Sequence, residues 1–135
     1  MNSLPDNLWS DLIGLPFKAR GRGPNEYDCY GLLREIYKRR GIIVPDVLSY
    51  KDVEDPNAVN QLIVEHLTKF NDWRSCSVAP GVGLLFRRGS VAAHVGVAID
   101  SDRFIHASED FWQVTVGRLS RGYKFQLVGS YDYAV

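Results

Sequence analysis

Three side chains in this 135-residue sequence are of the types that perform nucleophilic chemistry on amides: Cys29, His94 and His106. A free thiol titrates near ~8.5 and is only about 3% thiolate at neutral pH. The positive end of a helix and a neighbouring imidazolium lower that value, and at about 6 the thiolate becomes the majority form. In such a set Cys29 attacks a carbonyl and His94 hands a proton to the leaving amine. His106 holds the His94 ring in one orientation and tautomer. Each residue alone has a plainer reading, because a cysteine on an apolar stripe is ordinarily packing and histidines in neighbouring strands are common. The conjunction, with the cysteine at a helix start, is what points to a thiol enzyme.

The elements that must position these groups follow from periodicity. Residues 28–40 read as a helix with Cys29, Leu32, Leu33, Ile36 and Tyr37 on one stripe and Arg34, Glu35, Lys38 and Arg39 facing away. Asp28 is a favoured cap, and Lys38, Arg39 and Arg40 suit the negative end of the helix before Gly41. Upstream, Pro5 to Ile13 carries Leu8, Trp9 and Leu12 at helical spacing and stops at Gly14, while residues 18–25 are a loop by composition. A second helix opens at Asp55-Pro56 and runs through Val59, Leu62, Ile63, His66, Leu67 and Phe70. His66 within that stripe reads as a packed or interfacial residue rather than a ligand.

From Pro80 onward the period becomes two. Five strands are expected: Gly83 to Arg87, Val91 to Ile99, Arg103 to Ala107, Gln113 to Leu119 and Lys124 to Tyr131. Helices first and consecutive strands afterwards define an α+β domain with an antiparallel sheet. Ala92, His94, Gly96 and Ala98 share one strand face, whose small residues would let the cysteine helix approach closely. The turn Asp100-Ser101-Asp102 permits two registers that bring the histidines together. Residue 99 opposite 103 sets them diagonally on one face, and 97 opposite 103 sets them directly across. A one-residue slip puts them on opposite faces.

Composition narrows the remaining possibilities. One domain spanning residues 1–135 suits the length, and 45% apolar with 12% aromatic residues supports a packed core rather than disorder. Sixteen basic against sixteen acidic residues is not the footprint of a general nucleic-acid or membrane-surface binder. No apolar run approaches the ~20 residues that cross a bilayer, and Met1 to Asp6 has neither the basic nor the apolar stretch of a secretion signal. The expectation is a soluble protein made in a cytoplasm. Cys29 and Cys76 are too few for a disulfide framework, and with His66, His94 and His106 they lack metal-ligand spacing, so neither cofactor nor metal is expected.

Tyr27-Asp28-Cys29-Tyr30-Gly31-Leu32-Leu33 resembles the nucleophile motif of the NlpC-type, papain-like cysteine peptidases of bacterial cell walls. His94-Val95-Gly96-Val97-Ala98-Ile99 resembles their histidine strand, and Phe104-Ile105-His106-Ala107 the strand of their third polar residue. Ile13 to Phe17 is similar to the segment before the nucleophile loop, and Pro80 to Phe86 to the first long strand. The resemblance implies a papain-like domain in which the cysteine helix packs on an antiparallel sheet. It further implies a thiol peptidase of peptidoglycan stem peptides, with Cys29, His94 and His106 as nucleophile, base and orienter and Asp28 recognising the substrate amine.

Leu33-Arg34, Tyr30 and the short form are most similar to tail-associated members from phages and prophages. That implies a tail-tip component, made in a bacterial cytoplasm, which joins other tail proteins and opens the wall locally. Two positions depart from the family pattern. Phe17 replaces a frequent tyrosine near the developing oxyanion, which leaves backbone N–H groups such as that of Cys29 to stabilise it. Tyr30 replaces a common serine on the substrate side, and Val82 replaces an aspartate with a structural role. These departures keep two alternatives open: a non-catalytic tail assembly module, or an amidase or acyltransferase with the same residues. Arg20, Arg22, Arg87 and Arg88 either flank a cleft and meet stem-peptide carboxylates or are solvated charges.

Overall fold

The expected nucleophile helix runs Cys29–Arg39 (α1) in a computed structural model of the protein, which describes residues 2–46, 73–88, 91–108, 110–121 and 126–133. Asp28 is its N-cap, and the carboxylate accepts from the Gly31 N–H at 2.7 Å. This satisfies one of the orphan donors of the first turn. At the other end Gly41, at φ +86, closes the helix: its N–H donates to Lys38 and that of Ile42 to Tyr37, both at 2.9 Å. That is the paired bonding of a Schellman stop, which only a left-handed residue permits.

Among the described residues six strands form one antiparallel sheet: β1 (Trp73–Ser75), β2 (Gly83–Arg88), β3 (Val91–Ala98), β4 (Arg103–Ser108), β5 (Gln113–Arg118) and β6 (Gln126–Tyr133), in the order β1-β6-β2-β3-β4-β5. Five are those expected, with ends moved by one or two residues. The sixth, β1, is too short at three residues to display alternation. It exists because it pairs with the end of β6, Trp73 opposite Tyr133, and their rings meet edge to face at 5.1 Å.

Two expectations fall differently. The segment at 5–13 is not one helix but two short 3-10 turns, Asp6–Leu8 and Ser10–Leu12. They part at Trp9, whose ring N–H donates to the Leu4 carbonyl at 3.1 Å, and burying that indole outweighs continuing the helical ladder. The second correction concerns the face that α1 covers. Leu32, Leu33, Ile36 and Tyr37 pack with Val95, Val97, Ile99, Ile105 and Ala107, not with the small-residue face of β3. That other face holds Ala98 together with Val82, Leu84, Phe86 and Phe104. The branched residues bury more apolar area, and the helix follows it. The expected second helix, with His66, lies outside the described residues.

The loop before α1 lies tightly against its first turn. A β-carbon at Gly31 would collide with the Gly21 carbonyl oxygen, a backbone atom with little freedom to retreat. Gly31→Ala is therefore expected to destabilise the protein by about 1–3 kcal/mol, read from denaturant unfolding. An unchanged midpoint would mean that the loop yields freely.

Candidate active site

Cys29 is the first residue of α1, half-buried, and both it and Cys76 are free thiols. The backbone N–H groups of Val95 and Tyr30 are directed at its sulfur and favour the ionised form. Val95 is the residue after His94, so the thiol meets β3 one residue along from the histidine. The approach is open because the registered pairs of β3 with β4 are Val97↔Ile105 and Ala98↔Phe104. Ile99 N–H donates to Arg103 at 2.8 Å, so by alternation the Val95 N–H also points toward β4. There it serves the sulfur.

That register, with 99 opposite 103, is one of the two that unite the histidines. His94 Nε2 and His106 Nδ1 lie 2.7 Å apart, a short hydrogen bond between two buried imidazoles. Gly96 sits opposite His106, and a β-carbon there would stand 3.4 Å from the His106 Cβ. The pair rests on aromatic rings: Phe86 is 5.9 Å from His94, while Phe104 and Phe111 are 4.8 Å and 6.0 Å from His106. The bond has two possible tautomers. If His94 donates from Nε2 to His106, its Nδ1 carries a lone pair and can accept a proton from a thiol. The opposite tautomer leaves His94 unable to act as a base. His106 thus sits where it can select the useful form.

The expected low thiol pKa is not what this environment produces. Burial pushes the Cys29 thiol up to about 12, with the Asp28 carboxylate adding to the rise. The N–H groups and the Arg22 cation oppose this but do not overcome it. Burial likewise pushes His106 down to about 4, against a weaker upward pull from Asp110. At rest the Cys29 thiol and the His106 imidazole are both driven toward their neutral forms, because desolvation penalises the charged forms more than the helix end rewards a thiolate.

The other residues singled out from sequence fall in different places. Phe17 is half-buried, and its N–H donates to the Trp112 carbonyl at 3.0 Å. Its ring stands edge-on to Trp112 at 6.3 Å. Tyr30, expected on the substrate side, is fully enclosed, and its hydroxyl donates to the Pro45 carbonyl at 3.1 Å. The phenol is large enough to join the core, where the family's serine would not reach. Asp28 is also buried, its Oδ1 accepting from both Gly31 N–H and Arg22 Nη1. Arg22 is therefore not a solvated loop charge, whereas Arg20 and Arg87 are exposed and the Arg88 side chain lies outside those described. Cys76 packs half-buried against Phe86 and its neighbours, as a filler would. Sequence reasoning missed Phe111 and Trp112. Adjacent exposed aromatics in a turn after the His106 strand were the available signal.

A helix headed by cysteine, laid on an antiparallel sheet that carries a histidine pair, defines a papain-like architecture. The sequence profile of the NlpC/P60 family matches residues 14–129, and the chain belongs to that family. Solved structures with the same fold include NlpC2 from Trichomonas vaginalis, at 22% identity and TM-score 0.67 over 95% of this chain and 45% of that one. A lipoprotein-like NLP/P60 protein from Staphylococcus aureus is 20% identical, TM-score 0.64, over 99% of this chain and 44% of that one. The NlpC/p60 domain of the peptidoglycan hydrolase SagA is 19% identical, TM-score 0.60, over 96% and 94%. The chain spans less than half the length of the Trichomonas and Staphylococcus proteins. No curated protein matches it.

His106 makes stability depend on pH. Its folded value, about 4, lies below the unfolded value near 6.5, so the unfolded chain binds more protons between them. Stability is complete above about pH 6.5 and is lost as pH falls toward 4. Unfolding free energy is expected to be about 2 kcal/mol lower at pH 4.5 than at pH 7, and His106→Asn should remove most of that difference. A wild-type curve flat over this range would show that the pair keeps a proton.

Proposed function

We propose that the protein is a thiol hydrolase of amide bonds in peptidoglycan stem peptides, with Cys29 as nucleophile, His94 as base and His106 as orienter. The observation that carries this reading is the 2.7 Å bond between His94 and His106, with the N–H of the next residue, Val95, directed at the Cys29 sulfur. Family membership and the likeness to a peptidoglycan hydrolase domain support the substrate class.

The neutral Cys29 thiol sets the order of events. As Cys29 Sγ attacks the carbonyl carbon, its proton passes to His94 Nδ1, and the carbonyl π electrons move to oxygen. Backbone N–H groups, that of Cys29 among them, stabilise that oxyanion, since Phe17 has no hydroxyl to offer. Collapse breaks the C–N bond, and His94 returns the proton to the leaving amine. Water, activated by the same imidazole, then cleaves the thioester and restores the thiol.

Leu33-Arg34 and Tyr30 favour a tail-associated role in a phage or prophage, in which the protein is made in the bacterial cytoplasm, joins tail-tip proteins and opens the wall locally. A non-catalytic tail module is the competing reading, favoured by the raised Cys29 thiol and by Phe17. One assay separates them. Purified peptidoglycan treated with wild-type protein is expected to release stem fragments, and Cys29→Ala to release none. His106→Ala should lower kcat by about 10–100-fold, as loss of an aid to general-base transfer does. Equal release by wild type and Cys29→Ala rejects the hydrolase.

A further inference from the structure

The loop before α1 holds a cation that the proposed reaction does not use. Arg22 Nη1 donates to Asp28 Oδ1 at 2.7 Å and to the Gly21 carbonyl at 3.0 Å. Its Nε and Nη2 donate to the two oxygens of Asp46, at 2.8 Å and 3.3 Å. The guanidinium carbon stands 5.6 Å from the centre of the buried Tyr30 ring. One planar fork thus joins the helix cap, the segment after the helix and the residue following the nucleophile. A lysine ammonium has no geometry for this span.

The arrangement answers an electrostatic problem. A carboxylate is a strong helix cap, but here the cap is adjacent to the proposed nucleophile, and its charge opposes formation of a thiolate. We propose that Arg22 is a positioning residue, the counter-ion that offsets the Asp28 charge so that this carboxylate caps the nucleophile helix with less opposition to a thiolate at Cys29. This rests on Cys29 being the nucleophile. The two charges act on the sulfur in the required directions, Asp28 upward and Arg22 downward. The other groups acting on the thiol are the N–H groups of Val95 from β3 and Tyr30 of α1, while His94, the residue before Val95, is bonded to His106 of β4, on which Asp110 acts. Asp46 bonds the same guanidinium, and Arg34 of α1 pairs with Asp46 at 3.6 Å.

The test reads the thiol rather than hydrolysis, in full-length protein carrying Cys76→Ser so that one cysteine reports. Iodoacetamide alkylation is timed at several pH values on the rising limb, where rate follows the thiolate fraction. Arg22→Gln is expected to slow it about tenfold at fixed pH, the effect of one partly screened charge several ångströms away. Asp28→Asn, which still caps the helix, should quicken it by a similar factor, and the double variant should return near the parent rate. Arg22→Lys should retain most of the rate. A merely structural Arg22 would lower the melting temperature and leave the alkylation rates in place, which would overturn the proposal. If Arg22→Gln does not fold, Asp28→Asn decides alone: an unchanged or slower rate overturns it. Failure of wall hydrolysis with these shifts intact would count against the proposed function and not against Arg22.

Discussion

Between β3 and β4 the registered pairs are Val97↔Ile105 and Ala98↔Phe104, while each strand remains paired with its other neighbour, β2 or β5, over a longer run. The candidate site occupies the place where that ladder stops. In a continued ladder the Val95 N–H would face a carbonyl of β4. With the ladder ended it turns to the sulfur of Cys29, and the two imidazoles close on each other from the opposite face of the sheet. A backbone donor left over by strand pairing must find a partner. The first residue of α1 supplies it.

The helix reaches that point because its apolar stripe is buried on Val95, Val97, Ile99 and Ile105, which fixes its height and tilt over the sheet. Its start is then held from three sides: by the Asp28 cap, by the Gly21 carbonyl against Gly31, and by the Arg22 fork to Asp46. Phe17 belongs to the same frame. Segment 16–18 bonds Tyr27 on one side, and on the other Pro16 bridges Gln113 while the Phe17 N–H meets Trp112, so the loop, α1 and the end of β5 form one unit.

Enclosure sets the chemistry. Phe86 and Phe104 pack against the buried histidine pair, and burial strengthens its hydrogen bond while penalising protonation of His106. The same desolvation keeps the thiol neutral at rest. Tyr30 contributes as core and as the ring beneath Arg22.

Local pattern determined much of this protein. The 3.6-residue stripe and the Asp28 and Gly41 ends defined α1, the period of two defined five strands, and the short turn at 100–102 allowed the register that unites His94 with His106. These features depend on nearest neighbours along the chain, so the chain itself records them. Tertiary structure alone decided which face of β3 the helix covers, that residues 73–75 become a strand, that Trp9 breaks the first segment, and that Arg22 turns inward to Asp28 and Asp46. It also decided the sign of the Cys29 shift. Each of these is set by how much surface is removed from water when distant segments meet, and no spacing in the sequence encodes that quantity.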